Sequence, residues 1–570
     1  MLGEGRITVR IDRLGPLPLV NHILNRLGLP ALLAHHVPTP PARCALPYAT
    51  GLGVLLRSVI VEREPIYRQQ ELTRTFTPEG FGLTAAAAAA LHDDQLGRAL
   101  DHLFAADRGT LLTAIVVTAV RQSDVALTEL HNDSTTVSFT GQYRAAHGRS
   151  IRGKRAPAIT YGHSKQHRPD LKQLLFILTT SADGGVPVQF RCADGNTTDD
   201  TTHLDTWETL CQLAGRCDFL YVADSKLCTG EQMDYIHRRG GRFVTVLPRS
   251  RYEDAEFREW ILTHTPEWEE VWNRPHPRRC DGPRDLWRVF RYPLPSREVW
   301  PVIWVWSTLL AQHQDQVRRE RLTRVGQELD ALQRALAGPR PRRRTREAVE
   351  THVRAVLHQF QVARYLRVQV LDAPEYRYRQ DHRGRPGPGT RYRRITRARF
   401  RLAWHTDEEA LTHDRASDGM FPLLTNDRTL TPREVLEAYH RQPVIEKRFA
   451  EIKTVHEIAP VFLKNEGRIE AFFFLYFLAL LVQALIEREV RRAMQREGIE
   501  ELALYPEDRG SRRPTAEQIL RLFSLVERHA VLVGDNVVHV VHPELTPLQK
   551  QVLHLLGISE RVYRRLDAVQ

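Results

Sequence analysis

Three carboxylates of this chain, Asp133, Asp224 and Glu446, could together hold divalent metal ions. Asp133 lies in LHNDSTTVSF, a run rich in β-branched residues that predicts a strand. Asp224 ends the apolar run FLYVAD, just before a helical pattern, and ligands gather at the carboxyl ends of strands in open α/β sheets. Glu446 lies in the helical pattern that begins at Thr431. The three positions are far apart in sequence, so only folding can bring them together.

Carboxylates in such a group are suited to phosphodiester chemistry. Cutting and rejoining DNA at neutral pH requires an activated water or 3′-hydroxyl and a stabilised leaving oxygen, and two divalent cations about 3.5–4 Å apart meet both needs. Magnesium favours carboxylate oxygens and keeps open positions for water. We therefore expect two Mg²⁺ ions, with Mn²⁺ as a substitute. One Asp would bridge both ions, and the other Asp and the Glu would each complete one coordination shell.

Each carboxylate also has a purely structural interpretation. Asp224 could be a cap or turn residue after its strand, and Asp133 could be a turn carboxylate beside Ser134 and Thr135. Glu446 could be a solvated helix residue held by an ion pair one turn away. The residues at that spacing are Gln442, Pro443, Phe449 and Ala450, none of them basic, so this interpretation lacks its usual partner.

The elements that would position these residues follow from periodicity. Residues 1 to about 125 have a helical pattern, and two apolar runs separated by SADGG then predict a hairpin after the first strand. Helices at about 201–213 and from Thr229 alternate with the strands FLYVADS and RFVTVLP. This order predicts an α/β fold with a mixed sheet.

The pattern then becomes irregular, which indicates an inserted α+β subdomain. A long helix is expected at 309–337 and a second at about 348–360, followed by the strands YLRVQVLDA and FRLAWHT. Helical pattern returns at Thr431, where Pro443 should kink the helix or start a new one. We expect five segments: a helical N-terminal domain for end recognition or dimerisation at 1–125, core parts at 126–250 and 416–500, the insertion at 251–415, and a C-terminal helical region at 501–570.

The charge balance favours a polyanionic partner. Lys and Arg number 81 against 69 Asp and Glu, which gives a formal net charge of +12. A basic enzyme that does not bind nucleic acid could have the same charge balance, and both interpretations stay open.

Six scattered cysteines and an N-terminal stretch without an apolar core predict a cytoplasmic protein. The apolar stretch 471–486 is shorter than the ~20 residues a membrane span needs, so we expect a buried helix and no membrane partner.

The text around Glu446 resembles a known signature. Tyr439 precedes Glu446 by seven positions and Lys453 follows it by seven. This spacing is similar to the Tyr-Arg-Glu-Lys signature of DDE transposases of the insertion-sequence-four group. The position of the signature arginine holds Gln442, and the nearest arginine, Arg441, is one residue early. The resemblance implies that the arginine's phosphate contact passes to Arg441 or Lys447.

Other blocks agree with this resemblance and stand in the family's order. They are YGHSKQHRPDLKQ, DGGVPVQFRCADGNTTDDT, VADSK around Asp224 and DGMFPLLTN. The family implies a ribonuclease H-like catalytic core with an insertion between the second Asp and the Glu. It also implies a homodimer on double-stranded DNA that binds terminal inverted repeats, cleaves at the element ends and transfers the 3′ ends into target DNA. The enzyme would be cytoplasmic and associated with the nucleoid when bound to DNA.

Further residues are candidates for DNA contact, because phosphate contacts dominate affinity for nucleic acid. Near Glu446 these are Tyr439 and Lys453. Each also has a purely structural interpretation: the Tyr439 ring could pack on the sheet, and Lys453 could be a solvated lysine. The other candidates are basic residues in two runs, either of which could instead be a solvated face: Lys165, His167, Arg168 and Lys172, and Arg342, Arg343 and Arg344. Arginines interleaved with Tyr376, Tyr378 and Tyr392 could hold phosphates beside stacked bases, or form a solvated loop.

Two other functions use the same residues. A stand-alone metal-dependent nuclease would need the same carboxylates but would never rejoin DNA. A domesticated, non-catalytic DNA-binding protein would be expected to have lost one of the acids, and this chain keeps all three.

Overall fold

The computed structural model describes residues 7–40, 46–165, 167–276, 282–459, 461–505, 507, 509–534 and 536–564, without the side chain of Asp199. The chain divides into two compact units. Unit 1 consists of Met1–Thr245 and Glu437–Gln570, and unit 2 consists of Val246–Leu436. All three candidate carboxylates belong to unit 1.

The first part of unit 1 is mainly helical, as its periodicity predicts. Leucine-rich stretches such as LPLVNHILNR bury one face of each short helix. Its elements are β1 (Ile7–Arg13), α1 (Leu17–Arg26), α2 (Leu29–His36), α3 (Tyr48–Val61), α4 (Gln69–Thr75), α5 (Ala85–Ala89), α6 (Asp93–Ala105) and α7 (Arg108–Ser123).

A mixed sheet follows, which confirms the predicted α/β class. Its elements are β2 (Glu129–Phe139), β3 (Ser150–Ile151), β4 (Lys154–Arg155), β5 (Lys172–Ser181), β6 (Pro187–Ala193), α8 (His203–Ala214), β7 (Leu220–Ala223), α9 (Gly230–Arg238) and β8 (Arg242–Val246). Five of these strands lie in the order β6-β5-β2-β7-β8. β5 is antiparallel to both β2 and β6, as the predicted hairpin requires, whereas β7 is parallel to β2 and β8.

Unit 2, residues 246–436, includes the whole stretch 251–415 predicted as an insertion. Its elements are α10 (Tyr252–Trp260), β9 (Glu269–Arg274), β10 (Asp285–Arg291), β11 (Val302–Ser307), α11 (Thr308–Ala337), α12 (Arg346–Gln359), β12 (Leu366–Asp372), β13 (Glu375–Gln380), β14 (Tyr392–Arg397), β15 (Phe400–Thr406), α13 (Glu408–Arg415), β16 (Met420–Thr425) and the start of α14 (Pro432–His440). Four strands lie in the order β16-β11-β10-β9. One hydrophobic core packs α11 and α12 on the β12–β15 pair. Elsewhere in unit 2, the buried side chain of Trp304 on β11 stacks on Phe257 of α10.

The chain returns to unit 1 through two helices separated at Pro443, as predicted. The elements are α15 (Pro443–Thr454), α16 (Glu466–Glu497), α17 (Ala516–Leu522), β17 (Glu527–Val533), β18 (Asn536–Val541) and α18 (Pro547–Leu555). α16 is long and apolar enough to cross a membrane by length and composition, and the bent pair α6–α7 would be a second span if it counted as one. In its most apolar window α16 is 94% buried inside the protein, where α3, α6 and β6 cover it.

The prediction of helical structure at both ends of the chain is wrong in two places. Ile7–Arg13 and Glu527–Val533 form antiparallel strands, with Ile7 opposite Val533, and β18 completes a three-stranded sheet. Valine-rich segments such as AVLV and VVHVV favour strands. A strand is stable only with a partner, and the partner of β1 lies at the far end of the chain, where local periodicity carries no information about it.

Candidate active site

Two neighbouring parallel strands bring Asp133 and Asp224 to the same region of the sheet. β2 and β7 pair with His131 opposite Val222; Asp133 lies two residues further along β2, and Asp224 directly follows Ala223, the last residue of β7. Because neighbouring strands are about 4.8 Å apart, we infer that both aspartates lie at the same end of this strand pair. Their side chains are 22% and 43% exposed, so both are reachable from solvent. Asp224 also caps the turn that follows β7, accepting a hydrogen bond from Lys226 N at 3.0 Å.

Tyr439 links these aspartates to Glu446. Burial raises the pKa of the Tyr439 hydroxyl, and the charges of Glu446, Asp224 and Asp133 raise it further. The three carboxylates therefore all act electrostatically on the same phenol. The three carboxylates do not converge closely enough to share one metal ion, however. Among the residues that the structure describes, no group of three or more His, Cys, Asp or Glu side chains is close enough to hold a metal ion.

Two lysines stand beside Asp133. Lys165 Nζ lies 3.4 Å from Asp133 Oδ1 and donates to the Ser134 carbonyl and hydroxyl oxygens at 2.8 and 2.9 Å. Lys453 Nζ donates to Thr135 Oγ1 at 2.6 Å. Burial lowers the pKa of Lys453 and the charge of Lys165 lowers it further, while Asp133 opposes both effects. Two ammonium groups are therefore concentrated next to Asp133.

The residue in place of the signature arginine, Gln442, belongs to a polar network. His131 bridges Gln442 Oε1 at 3.0 Å and Glu129 Oε1 at 2.8 Å. Arg441 makes a two-pronged ion pair with the Glu129 carboxylate, with both N–O distances at 2.6 Å. Burial on its own would raise the pKa of Glu129, but hydrogen bonds from His131 and Arg441 lower it to about 2. The network ties the start of α15, which carries Glu446, to β2, which carries Asp133.

The opposite face of α15 is anchored to α16. Lys447 Nζ lies 2.8 and 2.9 Å from the two oxygens of the buried Glu487 and 3.2 Å from Glu451. Arg448, 1% exposed, also pairs with Glu451 and Glu487. Arg448 donates in addition to the carbonyl oxygens of Gly184 and Gly185 in the β5–β6 turn. Lys447 thus lies on the anchored face of the helix.

The remaining basic candidates lie elsewhere. Lys172 begins β5 opposite Phe139, six residues along β2 from Asp133, which is about 20 Å in a strand. Its Nζ donates to the Gln142 carbonyl oxygen at 2.6 Å. Exposed Arg168 pairs with Asp170, and His167 next to it is also exposed. Arg342, Arg343 and Arg344 belong to unit 2, where Arg343 bonds His352 at 3.0 Å.

Two histidines near the carboxylates were not singled out from the sequence. One is His131 of the network above. The other is buried His203 at the start of α8, whose Nε2 lies 4.0 Å from Asp224 Oδ1 and whose Nδ1 lies 3.0 Å from the Tyr221 hydroxyl. His203 ends the polar run NTTDDTTH, which has no metal-ligand spacing, and His131 stands two residues before Asp133. The spacing of His131 and Asp133 on one predicted strand could have indicated that the histidine lies near the candidate aspartate, because residues i and i+2 of a strand share a face.

Comparisons with known proteins add little to this geometry. No family model matches the sequence, and no curated protein matches it. One matching solved structure is the cryo-EM structure of a piggyBac transposase synaptic complex with hairpin DNA, at 8% identity and a TM-score of 0.26. The match covers 51% of this chain and 59% of that one. Similarity at this level carries no argument about function, which therefore has to be inferred from the site itself.

Proposed function

We propose that this chain is a DNA transposase, with a ribonuclease H-like core, that cleaves at the ends of an insertion sequence and transfers the 3′ ends into target DNA. The observation that carries the proposal is the parallel pairing of β2 with β7, which brings Asp133 and Asp224 to one region of the sheet, with Lys165 Nζ 3.4 Å from Asp133 Oδ1. The charge of Glu446 acts on the same Tyr439 hydroxyl as the two aspartates and supports including it. The Tyr439–Glu446–Lys453 spacing supports the finer assignment to the insertion-sequence-four group.

The donor set fits magnesium in its chemistry. All three side chains offer hard oxygen ligands, and the Lys165 ammonium already stands where a cation would neutralise Asp133. Asp133, Asp224 and Glu446 would hold two Mg²⁺ ions, or Mn²⁺ in their place. When bound, the ions would supply an activated oxygen nucleophile and stabilise charge on the leaving oxygen.

The chain's own side chains would bind and orient the DNA. Lys165 and Lys453 would contact the phosphate next to the carboxylates, since both ammonium groups lie beside β2. The Tyr439 hydroxyl, which is protonated at neutral pH as in any tyrosine, would donate a hydrogen bond to a phosphate oxygen. Arg441 is paired with Glu129, and we propose that it orients Glu446 through α15 and contacts DNA from its exposed edge.

Further DNA contacts are proposed along the rest of the duplex. The residues are Lys447 at the edge of its ion-pair cluster, then His167, Arg168 and Lys172, and Arg342, Arg343 and Arg344 in unit 2. Two element ends must be cut together, so a homodimer on the terminal inverted repeats is proposed, with the N-terminal helices in end recognition or dimerisation. The protein would act in the cytoplasm, at the nucleoid.

The test is cleavage and joining of labelled duplex DNA that carries the ends of the encoding element, in Mg²⁺, by the wild type and Glu446→Gln. Gln keeps the shape of the side chain and removes the charge that binds metal, so we expect DNA binding to persist and both reactions to fall by at least about a hundredfold. Glu457→Gln, an exposed carboxylate just after α15, is the matched control and should react like the wild type.

Each alternative has its own outcome. Cleavage without joining by the wild type would favour a stand-alone nuclease, which the same carboxylates would serve. Binding without any reaction in Mg²⁺ or Mn²⁺ would favour a non-catalytic DNA-binding protein. Equal activity of Glu446→Gln and the wild type would overturn the assignment of Glu446.

A further inference from the structure

A buried arginine in the N-terminal helices has only neutral partners. Arg57 of α3 is 5% exposed. Its Nε donates to Asn21 Oδ1 at 2.7 Å and its Nη1 to the Gly53 carbonyl oxygen at 3.0 Å. Across the described parts of the chain, no carboxylate pairs with it. Burial lowers its pKa to about 10, so the guanidinium stays charged at neutral pH. A buried charge held only by neutral dipoles is unfavourable unless an opposite charge joins it.

The guanidinium lines a cavity of about 170 Å³. The cavity lies between α1, α2, α3 and the turn Pro78–Phe81, and its lining residues include the buried Leu24, Leu56 and Phe81. Its mouth lies at exposed Ala34 and partly exposed Ala49. An apolar cavity of roughly 150 Å³ is large enough for a benzene-sized molecule. The cavity is therefore apolar, open at one side and charged at one point.

Gly53 leaves room for the guanidinium in this position. A Cβ at Gly53 would lie 2.7 Å from Arg57 Nη1, so a larger residue there would require the guanidinium to shift. The guanidinium is thus held in the cavity wall rather than drawn out to solvent, where a long arginine side chain usually ends.

We propose that this cavity binds a small organic anion, a carboxylate with a short apolar chain or ring. The carboxylate would accept charge-assisted hydrogen bonds from Arg57. The apolar part would lie on Pro30, Ala34 and Pro47, the lining residues with accessible apolar surface, where its burial contributes to affinity in proportion to its area. The site is separate from the carboxylate cluster at Asp133 and does not depend on the chain being a transposase.

The test measures thermal unfolding of the full-length protein with hexanoate or with hexanol, which has the same chain length and no charge. Hexanoate should raise the melting temperature of the wild type in a saturable manner, and hexanol at equal concentration should raise it less. Arg57→Met keeps the bulk and removes the charge; it should weaken hexanoate binding by at least about tenfold and leave hexanol binding unchanged. Arg98→Met, on the exposed side of α6, is the control and should behave like the wild type.

Other outcomes would overturn the proposal. These are equal effects of hexanoate and hexanol on the wild type, no shift with hexanoate, or full hexanoate binding by Arg57→Met. If Arg57→Met does not fold, Ala49→Phe provides the decision, because it blocks the mouth and keeps the arginine; a hexanoate shift that survives it would contradict the assigned site. If hexanoate has no effect while Arg57→Met weakens self-association, the arginine faces a second copy of the chain and the small-anion proposal fails.

Discussion

At the scale of single residues, Glu129 and its partners hold the strand of Asp133 against the helix of Glu446. The Glu129 carboxylate, 14% exposed, accepts from both His131 and Arg441, and its pKa of about 2 reflects these bonds. A folded-state pKa below the unfolded one adds stability above the unfolded value, near 4.5, and this stability is lost as the pH falls toward 2. The network therefore couples acid stability to the geometry of the site.

The lowered pKa of Glu129 leads to a prediction about unfolding in acid. Between pH 6 and pH 3.5 the contribution of Glu129 to the free energy of unfolding should fall by about 1 kcal/mol, because the unfolded carboxylate takes up a proton first. Urea unfolding at both pH values measures it. Glu129→Gln should lose stability at pH 6 and show a smaller decline toward pH 3.5 than the wild type. The same pH dependence in wild type and Glu129→Gln would show that the ion pair with Arg441 has no such effect.

At the scale of elements, α15 is held on both sides, by the Glu129 network at its start and by Glu487 of α16. Breaking a buried pair by removing one partner costs about 3–5 kcal/mol, although Lys447 and Arg491 would still neutralise part of the Glu487 charge. We predict that Arg448→Met lowers the free energy of unfolding by about 2–3 kcal/mol. Chemical denaturation measures it, and Lys464→Met, a substitution at an exposed site, is the control that should leave stability unchanged.

The loss of stability in Arg448→Met should be partly reversed by adding Glu487→Gln. In Arg448→Met/Glu487→Gln the buried charge is gone, so the double variant should be more stable than the sum of the two single effects. Strict additivity would mean that Arg448 acts only through the carbonyl oxygens of Gly184 and Gly185.

The ribbon β13–β14 of unit 2 is a second element with a specific expectation. Its register places Tyr376, Tyr378 and Tyr392 on one face, all more than half exposed, with Arg394 lying 5.0 Å over the Tyr376 ring. The other face carries arginines, including the cross-strand pair Arg379 and Arg393. Exposed aromatics next to arginines are suited to stacked bases and phosphates.

We predict that Tyr378→Ser/Tyr392→Ser weakens binding to single-stranded DNA by about tenfold or more, since each stacked base contributes about 1–3 kcal/mol. Fluorescence anisotropy with a labelled oligonucleotide measures it. Tyr67→Ser, an equally exposed tyrosine in unit 1, is the control and should not change the affinity. Unchanged binding by the double variant would leave the ribbon as a solvated hairpin.

At the scale of the whole molecule, the net charge of +12 favours the proposed DNA partner over an uncharged one. Affinity for duplex DNA should fall linearly on a logarithmic plot against salt, because each neutralised phosphate releases a counterion. Mass photometry with DNA that carries both element ends should find two copies of the chain per complex. Salt-independent binding, or one copy on two ends, would contradict the proposed dimer on DNA.

Features that depend on local pattern could be predicted from the sequence alone. Alternating β-branched residues predicted β2, the apolar runs predicted β5, β6 and β7, and Pro443 separated α14 from α15, because a strand or helix is specified by neighbouring residues. The choice of Asp133, Asp224 and Glu446 needed the resemblance as well, since each acid has an ordinary structural role when taken alone.

Which side chains meet became known only from the folded chain. The pairing of β1 with β17, the ion pair of Arg441 with Glu129 and the pairing of Lys447 with Glu487 join residues hundreds or tens of positions apart. In the sequence, Arg57 is simply a basic residue in an apolar helix. Only the fold shows that it lines a cavity together with residues of α1, α2 and the turn at Gly82. The physical reason is the same in each case: burial and charge pairing depend on distances in space, and local periodicity specifies only which face of an element is apolar.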